Sequence, residues 1–404
     1  MPFEWFVAIR YLRAGRAQTA LILGGTTMGV AVLVFLTALI SGLQRSLIAQ
    51  TLSSQSHILV KAPEREARSL PLAAGTAADR VEKTPDRIRS IEQWQQVLAS
   101  IERMPGVVAA TPTAAGSAFA SRGEASKSVA VRGVDDQSFA RVIEIVPKMR
   151  AGTFRLEGTT AVIGGVLAAD LGVGVGDKIR LATPEGRGDV FTVAGVFDLG
   201  NKDVNQRWVL VPLRSAQTML DLAGGATTIE VKVDDVFAAE RMAQEIQRSQ
   251  ALQADSWMKL NEQLLVALRS QSASSWMIQV LVVVAVALGI ASVLGVSVIQ
   301  KSREIGIMRA SGTSRGTIQR IFLLEGAIVG ALGAVTGGLA GTAFALAFAN
   351  LATSPNGEPI FPVDLTPGLF LAASLVAIVT GTVAAWFPAS RAAKLDPAVV
   401  IRYG

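Results

Sequence analysis

The chain has 404 residues, of which half are hydrophobic and only 17% are charged. This composition is too apolar for an ordinary soluble protein, so it indicates a membrane protein with room for two or three domains. The chain contains no cysteine, which excludes disulfides, thiolate metal sites and lipid-modified cysteine.

Residues 1–18 form the first predicted element, an amphipathic helix that lies along the inner leaflet of a membrane. Its apolar side chains fall on one helical side, namely Phe3, Phe6, Val7 and Tyr11. Arg10 and Arg13 lie elsewhere on the helix. A plain cytoplasmic extension of the first membrane span is an alternative that the pattern leaves open.

Four apolar stretches are predicted to cross the membrane, at residues 19–44, 270–300, 321–350 and 367–389. Each is longer than the roughly 20 residues that a helix needs to cross the hydrocarbon core. The first stretch is too long for the apolar part of a cleaved signal peptide and lacks a small-x-small cleavage site. We therefore interpret it as a membrane span.

The positive charges cluster in short segments that flank these spans, and this predicts the orientation of the chain. They lie in the N-terminal segment, in the link at 301–320 and in the tail at 390–404, whereas the loop at 351–366 has none. Both termini and the basic link are therefore predicted to be cytoplasmic. The net charge of +6 is then mainly a topology signal, and we expect no nucleic-acid partner.

Residues 45–269, predicted to lie outside the membrane, have the composition of a mixed α/β domain, plausibly with two subdomains. Six segments rich in Val and Ile are predicted strands: SHILVKA, KSVAVRGV, DKIRLAT, DVFTVAGVF, RWVLVPL and TTIEVKV. Two segments with helical spacing are predicted helices: IRSIEQWQQVLASIERM and DVFAAERMAQEIQRS. The polar stretch 63–87 is predicted to be a long loop or a disordered insert.

Helix-compatible sequence joins this domain to the spans at both ends. It reads LQRSLIAQTLSS after the first span and SWMKLNEQLLVALRSQSASSWM before the second. Because neither segment contains Gly or Pro, both spans could continue outward as a rigid helical stalk. Ordinary connectors are the alternative.

A search for catalytic and cofactor-binding motifs gives none. The closest approach to a phosphate-binding loop, GVGVGDKIR, has an aspartate before its lysine and precedes a predicted strand, so it is predicted to be a turn. The single histidine, His57, cannot form a structural zinc site in a chain without cysteine, and a structural role is expected. The chain is therefore predicted not to be an enzyme and to bind no cofactor or metal itself.

Glu325 is an ionisable residue at the start of the third span, close in sequence to Arg320. Such a group near a membrane helix is a functional candidate by default. Its interfacial position instead favours a local pair with Arg320 or a capping role.

Small residues at four-residue spacing predict close packing between the spans. The glycines concerned are Gly25 and Gly29 in the first span and Gly326, Gly330, Gly333, Gly337 and Gly341 in the third. Such faces are common in membrane helices and do not identify the partner helix. No span shows a polar face suited to a wide aqueous pore.

The basic link and the start of the third span read KSREIGIMRASGTSRGTIQRIFLLEGAIVGALGAVTGGLAG. This stretch resembles the hallmark region of the FtsX/MacB/LolC-type ABC permeases, the mechanotransmission systems. The resemblance extends to AIRYLR, MGVAVLVFLTALISGLQ, TAVIGGVLAADLGVGVGDKIRL and WFPASRAAKLDPAVVIRYG, in the family's order. One span, a large outer domain and three further spans match as well.

The resemblance implies an α-helical protein of the bacterial inner membrane, with four transmembrane helices and a large α/β periplasmic domain between helices 1 and 2. It implies a separate cytoplasmic ATPase dimer that binds ATP and Mg²⁺, and a second permease that is a copy or a paralogue. Residues 301–320 would form the cytoplasmic coupling helix. The ATPase contacts would be Arg303, Glu304, Ile305, Gly306, Met308, Arg309, Gly312 and Ser314.

This role agrees with the pattern of the link, which has an apolar side at Ile305, Ile307 and Met308 and a basic side. A short amphipathic helix of this kind suits a groove on a soluble partner. Plain positive-inside topology is the alternative, but it does not require the apolar side.

Within the family, AIRYLR, SHILV and VIGGVLAADLGV are most similar to the lipoprotein-releasing LolC and LolE permeases. LolC-type chains carry a proline-bearing hook between two strands that recruits a periplasmic carrier, whereas LATPEGRGDVFTV is expected to be a short turn. A LolE-like role or a more general exporter role therefore stays open, with a lipoprotein, a lipid or a drug as substrate and a possible periplasmic adaptor or lipoprotein carrier. The alternative is an FtsX-like regulatory permease that controls a periplasmic hydrolase without transport.

Overall fold

A computed structural model describes residues 3–63, 89–91, 93–222, 224–351 and 362–395. The chain divides into two compact units. We call Met1–Leu47 with Val266–Gly404 the helical unit, and Ile48–Leu265 the sheet unit. The predicted insert at 63–87 lies almost entirely outside the described residues, as do most of the loop at 351–366 and the end of the tail at 390–404.

The helices and strands in the described part of the chain are numbered in chain order. The α-helices are α1 Phe3–Ala14, α2 Arg16–Ser53, α3 Trp94–Glu102, α4 Asp136–Val142, α5 Gly165–Leu171, α6 Lys202–Arg207, α7 Leu213–Met219, α8 Ala239–Gln250, α9 Trp257–Leu260, α10 Glu262–Gln300, α11 Ser302–Ala310, α12 Arg315–Leu351 and α13 Pro367–Ala393. The strands are β1 Ile58–Lys61, β2 Val107–Arg122, β3 Ala125–Val134, β4 Met149–Gly152, β5 Thr160–Gly164, β6 Lys178–Ala182, β7 Gly188–Phe197, β8 Trp208–Pro212, β9 Thr228–Val233 and β10 Gln253–Ser256.

Four helices, α2, α10, α12 and α13, are long and apolar enough to cross a membrane. Each contains one of the four predicted stretches. The outward extension of the first span is helical to Ser53. The extension before the second span is interrupted at Asn261, between the short helix α9 and the start of α10 at Glu262.

The first half of the α12 glycine series packs against α13. A Cβ atom placed on Gly330 would lie 2.5 Å from the backbone oxygen of Ala377, and one on Gly326 would collide with the backbone oxygen of Gly381. The two helix backbones are therefore in direct contact, which only glycine permits.

The second half of the series turns to α2. A Cβ atom on Gly333 would lie 2.6 Å from Thr26 Oγ1, and one on Gly337 would lie 2.7 Å from the backbone oxygen of Thr27. Gly341 is equally close to the same helix. The glycines of α12 therefore contact two neighbouring helices, α13 and α2. An α-helix has 3.6 residues per turn, so residues spaced about four apart shift gradually around its surface.

The two predicted packing glycines of α2 differ in how closely other residues surround them. Gly29 lies against the side chain of Val286 on α10. Gly25 is exposed and has open space around its Cβ position, so its predicted packing role within this chain is wrong. Gly42 and Gly381, which the sequence analysis did not single out, are closely packed against backbone atoms.

The four apolar residues that were predicted to share one side of α1 lie in two different environments. Val7 and Tyr11 are buried against the rest of the helical unit, whereas Phe3 and Phe6 are more than half exposed. One face of α1 therefore packs on protein, and its N-terminal turn presents aromatic side chains outward.

The sheet unit has two subdomains that share strand β2. In the first, the order β10-β1-β9-β2 gives an antiparallel sheet, and α3 and α8 cover its core. In the second, the pairings β2-β3-β8-β5-β7-β6-β2 close a ring of six strands, with β4 added beside β7. The pairs β3–β8 and β5–β7 are parallel and the others antiparallel, so the predicted mixed α/β domain is confirmed.

The narrow interior of the ring explains the composition of β2. Its inward side chains are small, with Ala114, Ala118 and Ala120 buried in the same apolar cluster as Ile163 and Phe191 from the opposite strands. A ring of few strands leaves little interior volume, so alanines on one strand make room for larger residues on the others.

His57 has the structural position that was expected. It is 9% exposed, and its Nδ1 lies 3.0 Å from the backbone oxygen and 3.1 Å from the backbone nitrogen of Val233, a hydrogen-bonding contact that joins the start of β1 to the end of β9. Burial lowers the pKa of His57 below its usual value of 6.5, and the Lys232 ammonium acts in the same direction.

Acidification is therefore expected to destabilise the sheet unit. Below pH 6.5 the unfolded chain takes up a proton at His57 that the folded chain does not, so the free energy of unfolding falls by up to about 1.4 kcal/mol per pH unit until the folded pKa is reached. Hydrogen exchange of β1 and β9 in the full chain, corrected for intrinsic rates, measures this slope. The His57→Gln variant should lose that part of the slope, and an unchanged slope would contradict the assignment.

Candidate coupling site

The basic link between α10 and α12 is a short helix followed by a turn. Helix α11 covers Ser302–Ala310, and α12 begins at Arg315. The predicted coupling segment at 301–320 is therefore one helix, a four-residue turn and the first turns of α12, rather than a single helix.

Two polar or small residues of the segment shape this turn. Gly312 has φ of +95°, a left-handed conformation that favours glycine, and its N–H donates to the Arg309 carbonyl at 3.1 Å. Ser314 caps α12, because its Oγ accepts a hydrogen bond from the Thr317 N–H at 3.1 Å. Both residues are exposed, so they also remain available to a partner.

Two of the three residues on the predicted apolar side, Ile305 and Met308, pack within this chain, whereas Ile307 is exposed. Ile305 is completely buried in a cluster with residues of α1, α12 and α13, and Met308 packs against the same cluster. Gly306 is buried as well. Burial of Ile305 holds α11 onto the helical unit, so Ile305 and Gly306 have a packing role within the chain, and their predicted contact with the ATPase stays a prediction.

Three residues of α11 form its outward face. Arg303, Glu304 and Ile307 are exposed, and their spacing of three and four residues places them side by side on the helix. Ile307 is 52% exposed, an unusual position for a large apolar side chain beside two charges. The outward face of α11 therefore presents one apolar side chain and two charged side chains.

Arg309 fastens α11 to the end of α13. Its Nη1 donates a hydrogen bond of 2.6 Å to the backbone oxygen of Ala393, the last residue of that helix. A cation at a helix C-terminus satisfies free carbonyl groups and interacts favourably with the helix dipole. Arg309 therefore makes a contact within the chain, and its predicted contact with the ATPase stays a prediction.

Replacing Arg309 by alanine is expected to lower the free energy of unfolding of the helical unit by about 1–2 kcal/mol, because a charge-assisted hydrogen bond is lost at a half-exposed site. The thermal unfolding midpoint of the detergent-purified protein measures the effect. Arg303→Ala is the matched control, since Arg303 makes no ion pair with the described residues and its loss should leave the midpoint unchanged. Equal midpoints for the two variants would contradict this assignment.

A buried polar cluster lies where α11 meets α1 and α12. The Lys301 ammonium donates a hydrogen bond of 3.0 Å to the Tyr11 backbone oxygen and lies 3.9 Å above the Tyr11 ring. Burial raises the pKa of Tyr11 to about 12, and the Glu304 and Glu325 carboxylates add to the rise. Burial likewise lowers the pKa of Lys301.

Glu325 is 3% exposed, and its Oε2 has no hydrogen-bond partner among the described residues. The predicted local pair with Arg320 is wrong, since no ion pair joins the two residues in the described part of the chain. The positive charge that acts on Glu325 is Lys301, at the start of α11. Lys301 and Tyr11 were not among the predicted site residues. Lys301 follows the second predicted span and Glu325 lies at the start of the third, and this arrangement could have indicated a buried charge pair.

The described residues contain no cluster of His, Asp or Glu suited to a metal ion. The stretch GVGVGDKIR is a turn, as predicted: Gly176 has φ of +91°, and the Asp177 carboxylate accepts a hydrogen bond of 2.8 Å from the Gly174 N–H before β6 begins. What the arrangement provides is an exposed face on a short helix that is fixed to three neighbouring helices.

The chain matches two protein families. Residues 19–249 match the MacB-like periplasmic core domain, and residues 276–397 match the FtsX-like permease C-terminal family. The first match alone covers more than half of the chain.

Three relatives align with nearly the whole chain. The lipoprotein-releasing system transmembrane protein LolC of Xylella fastidiosa is 24% identical over 436 residues, covering 100% of this chain and 99% of the relative. The corresponding LolE protein of Haemophilus influenzae is 28% identical over 438 residues, covering 99% of each chain. The macrolide export ATP-binding/permease protein MacB of Azoarcus is 26% identical over 428 residues, covering 98% of this chain and 58% of the relative.

Proposed function

The chain belongs to the ABC-transporter permease family that combines a MacB-like periplasmic core domain with an FtsX-like C-terminal domain, and from that premise we propose that it transmits the work of a separate ATPase to its sheet unit. In this proposal it resides in the bacterial inner membrane. A cytoplasmic ATPase dimer binds and hydrolyses ATP with Mg²⁺, and this chain itself catalyses no reaction.

The observation that carries the proposal is the outward face of α11. Arg303, Glu304 and Ile307 project from a helix whose other side is fixed by buried Ile305 and by the bond from Arg309 to α13. A partner that moves this helix must therefore move the helices to which it is fastened. Such rigid fixing of a docking element is what force transmission requires.

A separate ATPase is supported by two relatives that align with the chain over 99% of their own length. Both are named as transmembrane proteins of a lipoprotein-releasing system. The MacB relative, whose name includes both ATP binding and permease, is covered over 58% of its length. On the likeness to the first two relatives we assign ATP binding to another chain.

The orientation follows from the basic residues. Lys and Arg of α1, α11 and the end of α13 flank the spans, and this charge bias supports an orientation with both termini in the cytoplasm and the sheet unit in the periplasm. In this orientation α2 and α10 connect the membrane to the periplasmic domain as helices.

The substrate class is proposed to be a lipoprotein or another lipid-like molecule. Two relatives that match from end to end are named for lipoprotein release, and the one named for macrolide export leaves efflux as a second candidate. The link between β6 and β7 is a five-residue turn with Gly186 in a left-handed conformation, so no hook projects there. Recruitment of a carrier would then fall to a paralogous second permease, since another copy of this chain would have the same short turn.

Purification of the tagged chain in mild detergent with its native partners tests the proposal. Mass spectrometry should identify an ABC ATPase together with acylated lipoproteins. An ATPase with a periplasmic adaptor would favour efflux, and an ATPase with a periplasmic hydrolase would favour the FtsX-like regulatory alternative. Absence of any ATPase would contradict the proposed function as a whole.

A further inference from the structure

A groove of about 350 Å³ opens on the surface of the helical unit between α1, α12 and α13. Its lining is contributed by Glu4, Trp5, Arg320, Leu323, Leu324 and Thr382. The partner site on α11 uses none of these residues, so the groove is a separate feature.

The mouth of the groove presents both signs of charge. Glu4 and Arg320 line the same space, yet neither makes an ion pair within the described part of the chain. A free acid and a free base in one groove suit a ligand that itself carries both a positive and a negative group.

The floor of the groove is apolar. Leu323, Leu324 and Ala327 follow Arg320 along one stretch of α12. At a rise of 1.5 Å per residue, the lining extends roughly 10 Å from the arginine toward the middle of the span. Trp5, 43% exposed, stands at the charged end, where tryptophan is favoured at a membrane–water boundary.

We propose that this groove binds a zwitterionic aminophospholipid of the inner leaflet, of the phosphatidylethanolamine class. Arg320 binds the lipid phosphate, Glu4 binds the primary ammonium, and one acyl chain lies along Leu323, Leu324 and Ala327. The inference rests on the proposed membrane orientation, which places this end of α12 at the cytoplasmic headgroups.

The recognition predicts a preference that depends on Glu4. Phosphatidylglycerol offers the same phosphate to Arg320 but has no ammonium for Glu4, whose carboxylate would then face an anionic lipid without compensation. The bound lipid would also fasten α1 to α12 and α13 next to the coupling site.

Native mass spectrometry of the full chain tests the lipid preference. The chain is released from detergent that contains equal amounts of phosphatidylethanolamine and phosphatidylglycerol with identical acyl chains. Phosphatidylethanolamine should be retained about tenfold better, the value of one charge-assisted contact. Glu4→Gln should abolish the preference while binding continues, and Arg320→Gln should weaken binding of both lipids. Arg315→Gln, an exposed arginine on the same helix, is the matched control and should change neither.

Equal retention of the two lipids by the unaltered chain, or identical behaviour of Arg320→Gln and Arg315→Gln, would overturn the proposal. The ATPase retained in the same preparations is measured in parallel. A chain that retains its ATPase but shows no lipid preference would overturn the lipid site alone, whereas a lipid preference without any ATPase would uphold the site and contradict the proposed function.

Discussion

Replacing Gly330 by leucine is expected to prevent the helical unit from folding into a single stable form. A Cβ atom there would lie 2.5 Å from the Ala377 oxygen and 2.9 Å from the Ile378 Cα. Both neighbours are backbone atoms of α13, so no side-chain rotation relieves the overlap. The two helices must move apart along their whole contact, and the loss should exceed about 3 kcal/mol.

The measurement is the thermal unfolding midpoint and the size-exclusion profile of the detergent-purified protein. We expect either a fall of roughly 10 °C or more, or no monodisperse protein. Gly25→Leu is the matched control, because Gly25 is exposed and its Cβ position is open. Similar losses for the two variants would mean that a general intolerance of leucine, and not the α12–α13 contact, is responsible.

Reversing the character of the outward face of α11 is expected to weaken ATPase association by at least about 100-fold. In the double variant Arg303→Glu and Ile307→Glu, one charge is inverted and the central apolar contact is lost. A hot-spot residue at an interface contributes about 2 kcal/mol or more, and we expect the centre of this face to be one; about 1.4 kcal/mol corresponds to a factor of ten. Neither side chain is buried within the chain, so the permease itself should remain folded.

Quantitative co-purification of the ATPase with the tagged permease measures the association. Arg269→Glu is the control, since this exposed arginine belongs to the predicted opposite end of the second span and carries the same charge change. An unweakened complex in the double variant would show that the ATPase binds elsewhere on the chain.

The sequence was sufficient for the four long apolar helices because apolar stretches of that length have few alternatives. It was also sufficient for strands rich in Val and Ile, such as β7 and β9. It was insufficient for β2, the longest strand, whose Ala, Ser, Gly and Thr residues carry little strand preference. Their small size is imposed by the closed ring, a tertiary feature that no local pattern contains.

The sequence predicted a coupling segment at 301–320, but it did not show which of its side chains pack within this chain. The pattern of Ile305, Ile307 and Met308 shows that α11 has an apolar side, but not whether that side packs on its own chain. The same limit applied to the glycines of α12, whose spacing predicted close contacts while their division between α13 and α2 depends on the bundle. In each case the residue type predicted the kind of contact, whereas the element that it contacts depended on the tertiary structure.

The central claim is that the outward face of α11 is the docking surface for a separate ATPase, and cysteine cross-linking tests it most directly. The chain has no cysteine, so Ile307→Cys supplies a single thiol for a short photo-cross-linker in intact membranes. We predict an adduct with the ATPase from position 307 and none from Arg269→Cys. An adduct from position 269 but not from 307, or none from either in membranes where the ATPase still co-purifies, would contradict the claim.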